Sequence, residues 1–245
     1  MNHKHDDKSP PASTRRDLLK SALIGGAAAA GASTTTAATA PATTASTSTP
    51  TSTTAAYVFF TPAEATWIEA VVDHMVPADA LSPKGSDLGI AAYLDRALEG
   101  SWGKGDRMYL DGPWAPGVPA QGYQLPHTPA RLMRAGIAGA IAYSQRTYGK
   151  PFEQLAAAQK DELLNTLSAN RANFEGGLSS SAFFNLLYNA VVEGMFCDPV
   201  YGGNVNKAGW AMLGFPGVIA THARNIVTYR NKPYKVDPMG LSDAS

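Results

Sequence analysis

From about residue 57 onward, apolar side chains recur at helical spacing. Trp67, Ile68, Val71, Val72 and Met75 follow the 3.6-residue period. Thr61-Pro62-Ala63-Glu64 stands just ahead of them. Threonine caps, proline occupies a first position whose N–H would be unused anyway, and glutamate bonds back to the cap. Pro77 ends this predicted helix. Asp87 is placed to cap a second, with Leu88, Ala91, Leu94 and Leu98 on one stripe. Thr128-Pro129 opens a third, which runs through Leu132, Ala135, Ile137 and Ile141 to about Tyr148. A fourth covers roughly Ala158 to Ala169, with Leu163, Leu164 and Leu167. A fifth begins near Ser180 and carries Phe183, Phe184, Leu187, Val191 and Met195; a sixth runs from about Val218 to Val227. No period-two stretch is long enough to read as a strand. The expected class is mainly α: a single compact helical domain, residues 57–245, with long Gly/Pro/aromatic loops.

The pattern is different before residue 57. Arg15-Arg16 is followed by Asp17, Leu18, Leu19 and Lys20, then by Leu23, Ile24 and an alanine-rich run to Ala32. Basic, weakly apolar and small residues in that order are the layout of an export signal. The arginine pair, with Leu18, Leu19 and Lys20 behind it, is similar to the twin-arginine type. Only Leu23 and Ile24 are large in the apolar part, whereas a membrane anchor needs about 20 predominantly apolar residues. Residues 1–40 are therefore expected to be a twin-arginine signal peptide, cut at Ala32 or Ala40. Residues 41–56 are all Ala, Ser, Thr or Pro. Such a stretch buries too little to offset its chain entropy, so a disordered linker is expected there.

Composition narrows the chemistry. Twenty basic and twenty acidic residues cancel in a chain of 245, so no strong overall field is expected to draw in nucleic acid or an anionic membrane. The single cysteine, Cys197, excludes an internal disulfide framework, a cysteine-based zinc site and a cysteine-ligated iron–sulfur cluster. No Cys-x-x-Cys-His, Walker A loop, Gly-x-Gly-x-x-Gly turn or Gly-x-Ser-x-Gly elbow occurs. His74, with Asp73 and Asp79 nearby, is the nearest approach to an acid–base or metal group. Adjacent helical positions point apart, however, and the expected state of His74 is a helix-end histidine satisfied by hydrogen bonds. Cys197 lies past a predicted helix C-terminus, where the dipole disfavours a thiolate.

Two loops hold the remaining candidates. Residues 100–127 carry Trp102, Tyr109, Trp114 and Tyr123 among glycines and prolines. A loop of that length is uncommon, and its aromatics either tuck back onto the domain or anchor a partner. The second is Asp198-Pro199-Val200-Tyr201-Gly202-Gly203-Asn204, with Gly209-Trp210 and Gly214-Phe215-Pro216-Gly217 behind it. Aspartate capping its own backbone, a fixed proline φ and a Gly-Gly-Asn that tolerates positive φ are turn chemistry. Exposed amides at such a turn also suit an anion, although a structural turn is the simpler reading.

The segment from Glu193 to Asn204, followed by Gly209-Trp210 and Gly214-Phe215-Pro216-Gly217, resembles the gluconate 2-dehydrogenase subunit 3 family. Phe60 to Glu64, Val76 to Asp79 and Gly89 to Asp95 fit the same family. The resemblance implies a small, non-catalytic subunit of a heterotrimeric, membrane-bound gluconate 2-dehydrogenase that converts D-gluconate to 2-keto-D-gluconate. It implies no cofactor in this chain. FAD would lie in a large subunit of the glucose–methanol–choline oxidoreductase type, and haem c in a multihaem cytochrome subunit that also provides membrane association. The small subunit would support assembly and, through the twin-arginine translocase, export of its flavin partner. The complex would then lie in the periplasm on the inner membrane.

The resemblance leaves fructose, glucose and sorbitol dehydrogenases open as the parent complex. Asp198, Pro199, Tyr201, Gly202, Gly203, Asn204 and Trp210, with Trp102 and Trp114, are the candidate partner contacts. No catalytic, cofactor-binding or metal residue is assigned. The competing reading is a free-standing periplasmic helical enzyme or binding protein, with its site between the aromatic loop and the Tyr201–Asn204 turn.

Overall fold

The computed structural model describes residues 57–115, 117–121 and 124–243. The expected leader, the linker and Tyr123 lie outside the described residues. Within them, eight α-helices are joined by loops and short 3-10 turns: α1 Pro62–Met75, α2 Ile90–Glu99, α3 Ser101–Lys104, α4 Pro129–Tyr148, α5 Ala157–Ser168, α6 Ser180–Phe196, α7 Ala208–Leu213 and α8 Ala223–Thr228. The described residues contain no strand, only one parallel bridge between Gly217 and Met239. The domain is mainly α.

Local chemistry explains where the long helices start. Thr61 Oγ1 accepts from the Glu64 amide, and Glu64 Oε2 accepts from the Thr61 amide at 2.9 Å, which closes the capping box. Thr128 caps α4 through the Arg131 amide, and Ser179 caps α6 through that of Ala182. Gly149, left-handed at φ +66°, closes α4.

Helix α2 departs from expectation. Asp87 does not cap it, because residues 84–90 close a turn of their own and a left-handed Gly89 precedes the helix. That turn leaves the Leu88 carbonyl free to accept from the Val205 amide at 3.1 Å. The expected sixth helix is split into a 3-10 turn, Ile219–His222, and α8. No side chain of α8 is buried, so packing does not hold the two pieces together as one helix.

Helix α6 is the hub and packs on α2, α4 and α5. Its Phe183, Leu187 and Val191 join Trp67, Ile68 and Val71 of α1, Leu94 and Leu98 of α2, Ile137 of α4 and Leu163 of α5 in one apolar core. Phe183 is fully buried, and a Cβ at Gly136 would fall 2.0 Å from its ring. The α4–α6 crossing therefore needs glycine at 136. We expect Gly136→Ala to destabilise the domain by about 2 kcal/mol, overpacking outweighing the ~1 kcal/mol of helix propensity that alanine brings. A lower urea midpoint at unchanged slope is the check.

Candidate functional site

Helix α6 ends at Phe196 with no glycine cap, since Cys197 is extended. Its last carbonyls thus need partners from elsewhere. The Asp198–Asn204 turn and the residues behind it provide them. Trp210 Nε1 donates to the Phe196 carbonyl at 2.7 Å, and Asn204 Nδ2 to the Cys197 carbonyl at 2.9 Å. Asn204 Oδ1 accepts from the Gly209 amide at 2.8 Å. Asn204 is fully buried and left-handed, a conformation that asparagine tolerates. Cys197 Sγ donates to the Gly194 carbonyl at 3.6 Å, and burial pushes its thiol pKa up, away from thiolate character. Asn204→Ala should cost about 3 kcal/mol, because it strands a part-buried carbonyl and a buried amide and forces alanine into the left-handed region. Thermal melting measures the loss.

The first half of the turn has a different task. Asp198 Oδ1 accepts from the Val200 amide at 3.1 Å, while Oδ2 reaches 43 residues ahead to accept from the Leu241 amide at 2.8 Å. Pro199 opens the 3-10 turn to Tyr201. Gly202 is left-handed at φ +98°, and a Cβ there would lie 2.4 Å from the Arg96 guanidinium. Gly203 backs directly onto the Gly194 carbonyl, which a Cβ would meet at 2.2 Å. The amides of Val200, Tyr201 and Gly202 are all taken up within the turn. The turn is therefore a structural closure of α6, and those three amides are not free for an anion.

Val200 and Tyr201 face outward, each more than half exposed. Beside them runs an open groove of about 710 Å³, lined by Tyr93 and Arg96 of α2, Glu193 and Phe196 of α6, and Val200 and Tyr201. Tyr93 Oη donates to Glu193 Oε2 at 3.1 Å. Burial, then the Glu193 charge, raises the Tyr93 pKa, so the phenol stays protonated and donating. The Arg96 guanidinium makes no hydrogen bond to a described residue. Trp102 lies on α3 and Trp114 in the following loop, both part-exposed, at 43% and 37%. Neither lines the groove. Phe183 and Phe184 are core.

The candidate titrating groups disperse. His74 Nε2 is 2.9 Å from Asp161 Oδ1, Asp73 takes Lys84 Nζ and the Ser86 amide, and Asp79 takes the Leu81 and Ser82 amides. Among the described residues no group of three His, Cys, Asp or Glu side chains is arranged to hold a metal. None of their helices is long and apolar enough to cross a membrane.

One residue of consequence was not singled out from the sequence. Asp95 is buried at 3% exposure, and its carboxylate accepts from three successive amides, Val58 at 2.7 Å, Phe59 at 2.8 Å and Phe60 at 2.9 Å. Arg134 completes the clasp by donating to the Phe59 carbonyl at 2.7 Å, with its guanidinium 4.4 Å from the Phe59 ring centroid. The available signal was position: Asp95 sits on the α2 stripe of Ala91, Leu94 and Leu98, where an acid requires a partner.

Comparison with curated proteins and with solved structures gives no match. A model of the family described as gluconate 2-dehydrogenase subunit 3 matches residues 62–217. That span starts at the first residue of α1, contains Asp95 and the whole α6 closure, and covers more than half of the chain. The chain belongs to the gluconate 2-dehydrogenase subunit 3 family.

Proposed function

We propose that this chain is the non-catalytic small subunit of a membrane-bound, acceptor-linked gluconate 2-dehydrogenase, and that it carries its flavin-bearing partner out of the cytoplasm. The family match over residues 62–217 carries this reading, since the family supplies an accessory subunit of a dehydrogenase complex. Oxidation of D-gluconate to 2-keto-D-gluconate takes place on FAD in the partner, and electrons leave through a cytochrome c subunit. This chain contributes surface. Tyr201 and Val200, held outward on a turn whose other members are fixed inside, are rigid anchors of the kind that dominate interfaces. Arg96 beside them offers a planar cation to a partner carboxylate or carbonyl. The arginine pair at 15 and 16 directs the folded pair to the twin-arginine translocase, and the complex works at the periplasmic face of the inner membrane.

Gel filtration of native extract tests this, with absorbance followed in the flavin and haem bands. The chain should elute with both chromophores, and the pooled fraction should reduce a dye acceptor with D-gluconate. Elution as a monomer free of either chromophore would reject the reading and favour a free-standing binding protein built on the groove beside Tyr201. A fraction that prefers fructose, glucose or sorbitol would keep the accessory role and change the parent complex.

A further inference from the structure

Residues 218–243 lie beyond the family match and form an arm with its own closure. At its base, the Val218 amide donates to the Met239 carbonyl at 2.9 Å, and the Met239 amide to the Pro216 carbonyl at 3.1 Å. Asp198 and Lys207, both in the matched region, hold Leu241 and Asp243. Inside the arm, Tyr234 Oη lies 2.9 Å from His222 Nδ1 and accepts from Asn225 Nδ2 at 2.7 Å, while the Tyr229 and Tyr234 rings stand 4.7 Å apart. The arm is thus built to hold a shape.

What it displays is unlike the rest of the domain. Residues 218–243 hold four basic and two acidic side chains, whereas residues 57–217 hold eleven basic and fifteen acidic. No acid occurs between Asp198 and Asp237. Arg224, Arg230, Lys232 and Lys235 are exposed, and none forms an ion pair or side-chain hydrogen bond with a described residue. Among them Ile226 and Val227 are 67% and 80% exposed, with Ile219 and Tyr229 also open to solvent. The groove beside Tyr201 includes no arm residue.

We propose that the arm binds the surface of an anionic phospholipid bilayer: Ile226, Val227 and Tyr229 enter the headgroup layer, and the four cations pair with lipid phosphates. Two features favour lipid over a protein partner. Lysine is depleted at protein interfaces but is effective at anionic membranes, and it supplies half of these cations. Isolated aliphatic side chains on a six-residue helix offer no pocket to a rigid partner, whereas a fluid interface conforms to them.

The test is sedimentation of the full chain with vesicles of pure phosphatidylcholine, and with vesicles in which a third of the lipid is phosphatidylglycerol. Every chain compared carries the same leader, so its charges cancel from the comparison. Binding should require the anionic lipid and fall with added salt. Arg224→Gln, Arg230→Gln, Lys232→Gln and Lys235→Gln together should reduce partitioning at least about a hundredfold, given roughly fivefold per cation. Ile226→Ser with Val227→Ser should reduce it about tenfold. These exposed positions leave the His222–Tyr234 cluster intact, and an unchanged melting temperature verifies it. Equal partitioning into both vesicles, or retained binding by the four-glutamine chain, overturns the proposal. So does a four-glutamine chain that loses its flavin partner in gel filtration while vesicle binding is unaltered, which would assign the arm to a protein. The vesicle assay uses no partner subunit, so its failure leaves the accessory-subunit reading standing.

Discussion

Asp95→Ala is expected to lower the unfolding free energy by about 4 kcal/mol, the loss of three hydrogen bonds to one charged acceptor. Each such bond is worth roughly 1.5–3 kcal/mol, but the sum is not reached, because the released Val58 amide can turn to water. In a domain of this size, that is a drop of about 8–16 °C in melting temperature. Asp95→Asn should fall between. Its oxygen can still serve Phe59 and Phe60, whereas its NH2 group faces the Val58 amide donor to donor. Hydrogen exchange locates the effect: the amides of residues 58–60 should lose protection first. Unchanged protection there, with a large global loss, would mean that Asp95 acts by another route.

The second large effect concerns export. With Arg15→Lys and Arg16→Lys together, the periplasmic fraction should lose nearly all dye-linked gluconate oxidation, and the flavin subunit should accumulate in the cytoplasm. Lysine keeps the charge but not the planar, forked guanidinium, so the exchange separates recognition of arginine from a general need for basic residues. Fractionation followed by flavin fluorescence reads the outcome. Undiminished periplasmic activity would remove the escort role while leaving the family assignment untouched.

Helix identity was legible wherever a cap and an apolar stripe coincide. Thr61, Thr128 and Ser179 mark their starts because each side chain serves an amide three residues on. The start of α2 was misread because Asp87 has the right chemistry for a cap, yet the chain makes a separate turn whose carbonyl at Leu88 is used by Val205, 117 residues away. The turn at 198–204 was legible as a turn. Its service to α6 was not, because which carbonyl Asn204 and Trp210 reach depends on how the chain folds back. In the loop 100–127, the glycines and aromatics concealed a short helix, α3, held close beneath α2 at Gly103. Residues 218–227 read as one helix, but Ile219, Ile226 and Val227 face solvent and no core reads their spacing.

The bridge between Gly217 and Met239 has a practical corollary. It brings the two ends of the C-terminal excursion side by side, so the excursion is a removable cassette. A short glycine-rich splice from 217 to 239 should preserve the anchorage at Asp198 and Lys207, and the excised piece is a natural candidate for grafting onto another scaffold.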